Sequence, residues 1–418
     1  MSSVLLTLMF FCVCAYTQQD TITMDIEVST EKTLPIGVIN FKLDGSDWSK
    51  LDELPEKTVA RDFQLNGRFS TVELEEYNLF ALSRAQAKHY VTGRLSMSGK
   101  DANLECKLYA TTSGDLVKGF EYTSTAEQIR TSIHKCTDNV VYQLWGVHGF
   151  ASTQMAWVSR INGQKQIVAA DYDGFRKKQI TTVGTNLLPA WSKDNSKLYF
   201  TSLRNGKTEL FERVLALNQD KRLFSQIDQA FGTSVNPKDG TLLFSIIGRE
   251  GTDIWQGNPQ TGSAARLIYT SSIEVSPSWS PYGNAFLFSS DKGGQPQIYM
   301  ALRDGSDVQR VSFTGRYNES AVWSPEGDRI AYCSMEGGKL QIYTSALDGT
   351  DVQRLTSEGN NERPTWSPDG MSIAYASDRS GSYQIYIMRR DGSGATRITN
   401  AGDNTSPAWS NNTNKGVP

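Results

Sequence analysis

Over the C-terminal two thirds of the chain the hydrophobic pattern is that of short strands separated by turns. In one stretch, apolar alternation over 285–290, 297–301 and 309–312 is interrupted by Pro281-Tyr282-Gly283, Asp291-Lys292-Gly293-Gly294 and Arg303-Asp304-Gly305. Proline presets φ for an early turn position and glycine supplies the positive φ that other residues resist, so three turns per unit predict four strands. The unit recurs. Trp191, Val235, Trp279, Trp323, Trp366 and Trp409 occupy equivalent places, at steps of 44, 44, 44, 43 and 43 residues. A period of this length with strand content predicts a β-propeller, one four-stranded blade per unit. The recurring Trp is expected to pack between neighbouring sheets as scaffold.

Closure follows from the ends. Met155-Ala156-Trp157-Val158-Ser159 opens the repeats without a preceding Trp-Ser-Pro strand, and Pro407-Ala408-Trp409-Ser410 ends them with that strand alone. Together they make one blade, giving six, with the last strand inserted beside the first so that no sheet edge is left open.

Residues 22–148 lack the repeat. Ile22, Met24, Ile26 and Val28 alternate with polar residues, and Pro35–Phe41 is β-rich. Helical spacing predicts helices over 49–66, ending at Gly67, over 79–86, and over 125–145, where Ile129, Ile133, Cys136, Val140 and Leu144 share a face. Strands are predicted at 69–74, 90–97, 103–111 and 116–122, the last three joined by hairpin turns. This is an α/β domain with a mixed sheet. The fold class is therefore two-domain: an N-terminal α/β domain followed by a six-bladed β-propeller closed by the C-terminal strand. The segments are a signal peptide at 1–15, the α/β domain at 16–148 and the propeller at 149–418. The signal peptide is read from the apolar run Val4–Val13, which is too short to span a bilayer, and from small residues before Tyr16.

Composition narrows the function. The net charge of −3 and the absence of a Lys/Arg stripe argue against nucleic acid as partner. Removal of 1–15 leaves Cys106, Cys136 and Cys333, an odd number. Cys333 reads as a small buried hydrophobe. Cys106 and Cys136 point into the same core, where they can pair in an oxidising compartment, and thiol counting decides the matter. The three histidines, His89, His134 and His148, lie far apart in sequence and read as ordinary residues.

No nucleophile elbow, phosphate loop or paired-Cys metal spacing occurs, and most carboxylates sit in Asp-Gly turns. No catalytic constellation is read. What remains is a surface: the residues just before each Trp-type strand should rim the central channel. They include Glu274, Asn318, Glu319, Asn361, Glu362, Arg363, Asp403 and Asn404, a polar and acidic set suited to a protein loop. No cofactor is implied, although a divalent cation such as calcium could be held there by carboxylates and carbonyls.

Several segments resemble the TolB family of the Tol-Pal envelope system. They are 22–28 leading into Pro35-Ile36-Gly37-Val38, Val59-Ala60-Arg61-Asp62-Phe63 with Asn66-Gly67-Arg68-Phe69, and Gly149-Phe150-Ala151-Ser152-Thr153 before Met155. The resemblance implies a periplasmic, monomeric, non-enzymatic interaction protein, meeting the membrane only through its partners and supporting outer-membrane integrity and constriction during cell division. It implies that the propeller mouth binds the peptidoglycan-associated lipoprotein Pal and that the N-terminal segment, Thr21, Ile22, Thr23, Met24, Asp25, Ile26, Glu27 and Val28, binds TolA. An extended segment with alternating side chains suits strand addition to a partner sheet. The second rim segment departs from the pattern, with Val235-Asn236 in place of Trp-Ser. The competing class is a propeller enzyme or small-ligand binder acting on cell-wall glycans, which a glycan-hydrolysis screen would separate.

Overall fold

The computed structural model describes residues 33–45, 48, 51–98, 100–204 and 206–412. The signal peptide and the segment Thr21–Val28 lie outside them. Strands β1 (Leu34–Ile39), β2 (Lys42–Asp44), β3 (Phe69–Leu74), β4 (His89–Ser98), β5 (Asp101–Ala110) and β6 (Leu116–Thr125) form one sheet in the order β3-β1-β4-β5-β6, with β2 also on β4. Pairing is parallel from β3 through β1 to β4 and antiparallel from β4 to β6, hence mixed. Helices α1 (Pro55–Asn66) and α3 (Ile129–Trp145) cover one side, burying Ile36, Phe63, Phe69, Leu104, Ile133 and Val140 in a common core. The short helix α2 (Leu79–Arg84) packs Leu82 near Tyr90.

Two helix starts differ from the sequence reading. The first helix begins at Pro55, not near residue 49, because Pro at the first helical position forces Leu54 into an extended conformation. The third begins at Ile129 because the hairpin strand β6 continues to Thr125. Gly67 closes α1 at φ 79°, as its position suggested. Cys106 on β5 and Cys136 on α3 are disulfide-bonded, with Cα atoms 6.1 Å apart, and Cys333 is free and buried.

Six four-stranded antiparallel sheets follow. Their innermost strands are Thr185–Trp191, Ala230–Val235, Glu274–Trp279, Asn318–Trp323, Asn361–Trp366 and Asn404–Trp409. The last of these pairs with Gln154–Ile161, so one sheet is built from both ends of the repeat region. The Trp residues act as wedges with a polar tip: Trp191 Nε1 donates to Ala408 O at 3.0 Å and Trp323 Nε1 to Ser278 O at 3.2 Å, each reaching the preceding blade. Among the described residues no helix is long and apolar enough to cross a membrane.

The N-terminal unit sits on one face of the ring. In each sheet the turn between the first two strands and the turn between the last two lie on the same face. That face carries Asp369, which accepts from Arg68 at 2.5 Å, Ser372, whose hydroxyl donates to Leu65 O at 3.0 Å, and Asp173, which accepts from Arg130 at 2.5 Å. His134 corrects the reading of the histidines as ordinary. It is buried between Asp62 and Asp171, at the junction of the two units.

Candidate interaction site at the open mouth of the propeller

The starts of the six innermost strands gather at the face opposite the N-terminal unit. Each strand carries a β-bulge at the same place, between Leu187 and Ala190, Phe231 and Ser234, Val275 and Ser278, Glu319 and Val322, Glu362 and Thr365, and Thr405 and Ala408. The bulged residue adopts positive φ in all six: Leu188, Gly232, Ser276, Ser320, Arg363 and Ser406, at 52° to 65°. Only one of the six is glycine. For the other five this conformation carries a steric cost, which concentrates along a single ring around the channel. In four blades the next residue is proline: Pro189, Pro277, Pro364 and Pro407. Proline has no N–H to leave unpaired at a bulge, which is where sheets accept it. The other two blades carry Thr233 and Ala321. Thr233 Oγ1 and Ser320 Oγ are buried without a hydrogen-bond partner. The channel enclosed by these strands has a volume of about 290 Å³.

The eight residues read as rim divide into two groups. Glu274, Asn318, Asn361 and Asn404 are buried, so their side chains do not line an accessible mouth, and their place in the rim is corrected. The three Asn hold neighbouring blades together. Asn318 Nδ2 donates to Gln297 Oε1 at 2.8 Å, Asn361 to Gln341 at 3.0 Å and Asn404 to Gln384 at 2.9 Å, each Gln lying in the preceding blade. The same Gln oxygen accepts from Ser312, Thr356 or Thr399. Asn186 and Gln166 repeat the clamp with Thr181. These Asn–Gln pairs are separated by 20 or 21 residues, and each Gln is followed by Ile. This signal was present in the sequence and was masked by the more obvious Trp repeat. In the third repeat Glu274 replaces the Asn and accepts from Thr270 at 2.6 Å and Ser290 at 3.0 Å. Burial pushes its carboxyl up against those two bonds.

Glu319, Glu362, Arg363 and Asp403 remain at the mouth, partly exposed and in adjacent blades. Burial raises the Glu362 pKa; Arg363 opposes the shift, whereas Glu319 and Asp403 add to it. The three carboxylates therefore feel one another. Tyr317 donates to Glu319 at 2.9 Å, and Arg160 lies 3.4 Å from Asp403. Elsewhere Asp-Gly turn carboxylates act locally, as the sequence suggested: Asp304 accepts from Ser306 at 2.6 Å and Asp348 from Thr350 at 2.6 Å. Asp369 is different, since besides its turn bond to Ser367 at 2.7 Å it anchors Arg68 of the N-terminal unit.

A second polar cluster lies at the junction. Asp62, His134 and Asp173 present atoms within 4.8 Å of one another, a geometry that could hold a metal ion. However, Asp62 already accepts from Thr137 at 3.0 Å and Tyr172 at 2.8 Å, and Asp173 faces Arg130. Oxygens of both carboxylates are thus already engaged by the chain's own donors.

Residues 141–412 match the family described as TolB beta propeller domain. A protein TolB homolog of Chlorobium chlorochromatii is 31% identical over 269 residues, covering 64% of this chain and 60% of its own length. The Tol-Pal system protein TolB of Bordetella parapertussis is 25% identical over 302 residues, covering 69% of this chain and 67% of its own length. The matched part thus spans about three fifths to two thirds of those relatives. The crystal structure of TolB from Acinetobacter baumannii superposes with a TM-score of 0.77 at 23% identity, over 91% of this chain and 97% of that one, which is a likeness of fold.

Proposed function

The chain belongs to the TolB beta-propeller family, and from that premise we propose that it is a non-enzymatic interaction component of a Tol-Pal system. In this reading it is a monomer exported to the periplasm, where it serves outer-membrane integrity and constriction during cell division. It binds the lipoprotein Pal at the open mouth and TolA through Thr21–Val28. The observation that carries the reading is the asymmetry of the ring: one face carries the N-terminal unit, docked on the closing blade and the blade before it, while the other presents Glu319, Glu362, Arg363 and Asp403 around a strained channel mouth. An acidic mouth beside a proline-lined channel of mixed polarity supports recognition of a protein loop, with charge steering the encounter and the channel wall giving contact area. The reading requires no cofactor; a divalent cation bridging the mouth carboxylates is an additional ligand, tested by comparing partner affinity with calcium and with chelator.

The test is a pull-down and titration with the cognate Pal. Changing Glu319, Glu362 and Arg363 together to Ala is expected to weaken binding about tenfold or more without moving the unfolding transition. Wild-type affinity in that variant would remove the mouth from the reading. Deleting 21–28 is expected to abolish TolA binding and leave Pal binding intact.

A further inference from the structure

Where α3 meets the closing blade, the contact is ionic. Arg130 of α3 lies 2.5 Å from Asp173 and 3.4 Å from Asp171, both in the blade. Arg176 holds Asp171 through two bonds of 2.6 and 2.7 Å. In the other direction, the hydroxyl of Tyr172 donates to Asp62 of α1 at 2.8 Å. Glu53 and Arg61 complete the cluster, paired at 2.5 Å, with Arg61 also 3.5 Å from Asp173. Among the groups that touch, four carboxylates (Glu53, Asp62, Asp171 and Asp173) face three guanidinium groups (Arg61, Arg130 and Arg176). Asp138 of α3 and Asp194 at the edge add further negative potential. The cluster lacks one positive charge.

His134 stands where that charge is missing, and it is 1% exposed. Its Nδ1 is 2.9 Å from Asp62 in its own unit, and its Nε2 is 3.8 Å from Asp171 in the blade. Nε2 is buried with no hydrogen-bond partner, and His134 borders a polar cavity of about 220 Å³ between the two units, together with Thr131, Asp171, Arg176 and Asp194. The ring is thus placed between a carboxylate from each unit, with room beside it for the water that a charged N–H requires.

We infer that His134 is carried as an imidazolium and is the charge that ties the N-terminal unit to the closing blade, so that docking of the two units depends on its proton. The surroundings agree. Burial by itself lowers the pKa of this imidazole; the Asp62 carboxylate that it bonds and the Asp171 carboxylate on its other side more than reverse that, to about 10. Because the folded pKa is raised, the tie is fully present below about 6.5, the unfolded value, and is lost as pH rises through about 10. The linker between the units is held by a separate device, Asp138, which accepts from the backbone of Ala151 and Ser152 at 2.7 and 2.9 Å. Phe150 of that linker packs against Tyr172 and Trp409 of the blade, so loosening the tie frees the linker on the blade side and leaves it held by the Asp138 bonds.

The experiment uses the full chain labelled with ¹³C-histidine. Its three histidines are separated by NMR, and His134 is identified as the signal lost in His134→Gln. An imidazolium chemical shift at pH 8 is expected; a neutral ring at pH 8 overturns the inference. The mechanical consequence is read as protease cleavage in the 146–152 linker, normalised to a peptide of the same sequence. Cleavage should rise about tenfold or more between pH 7.5 and pH 10.5, and by a similar factor at pH 7.5 in His134→Gln and in Asp171→Asn. The double variant should add little to either. If His134→Gln does not fold, the pH series on the unaltered chain still decides: a flat cleavage rate means that the imidazole carries no part of the docking.

Discussion

The two faces of the ring are made from the same repeat yet hold their charges differently. On the covered face carboxylates are paired: Arg68 and Asp369 have side chains only 10% and 3% exposed, and Arg130 and Asp173 only 5% and 0%. On the open face Glu319, Glu362 and Asp403 crowd one another, with Arg363 and the more exposed Arg160 as local counter-charges. A buried pair is expensive to break because removing one partner leaves an uncompensated charge, whereas an exposed one contributes little to stability. The covered face is therefore read as cohesion and the open face as unspent electrostatic potential. Their difference should appear as opposite responses to mutation.

The largest effect should come from neither face but from the closure that both depend on. Deleting Asn404 onwards removes Trp409, which donates to Thr153 at 2.8 Å, and leaves Gln154–Ile161 as an open edge. Losing the buried Trp alone should cost about 3–5 kcal/mol, and the whole strand more, measured as a fall in the urea midpoint. A truncated protein that unfolds like the full chain would show that the ring does not need this sheet to close. Next, Asp369→Ala should weaken docking of the N-terminal unit by about 3–5 kcal/mol, read from linker proteolysis, with Pal binding retained. Reducing the Cys106–Cys136 bridge, which spans 30 residues, should lower the stability of the N-terminal unit by about 2–4 kcal/mol and leave the propeller transition in place. Thiol titration of denatured, unreduced chain lacking 1–15 should find one free thiol, that of Cys333.

Smaller effects sharpen the contrast. Asn361→Ala leaves Gln341 without one of its donors and should cost about 1–3 kcal/mol of stability while changing partner affinity little, since the side chain is buried. Glu362→Gln should do the reverse, with stability within about 0.5 kcal/mol and a measurable loss of affinity for a basic partner. The raised Glu362 pKa gives this a pH signature. Binding should weaken on mild acidification as the carboxyl takes up its proton, and Glu362→Gln should flatten that dependence.

The ring was legible because its determinants are local. A Trp every 43 or 44 residues and Pro and Gly at fixed turn positions specify strand, turn and sheet without reference to distant parts of the chain. The mouth was only half legible. Position in the repeat located the right segments, but adjacent residues such as Asn361 and Glu362 point in opposite directions. Which one faces inward depends on the bulge at Arg363, whose backbone conformation no residue type announces. The junction was not legible at all. His134, Asp62 and Asp171 acquire meaning only when α1, α3 and the closing blade meet, and separation in sequence made each look solitary.

The shared sheet also sets a timetable. Trp409 meets Thr153 across 256 residues. At chain-growth rates of about 5–20 residues per second, the strand starting at Gln154 emerges roughly 13 to 50 seconds before the strand that will cover it. During that interval a buried-type strand carrying Met155, Trp157 and Val158 has an unpaired edge, and the other five blades have no ring to join. A chaperone or an export pathway that keeps the chain unfolded until synthesis ends would meet its need at this one strand.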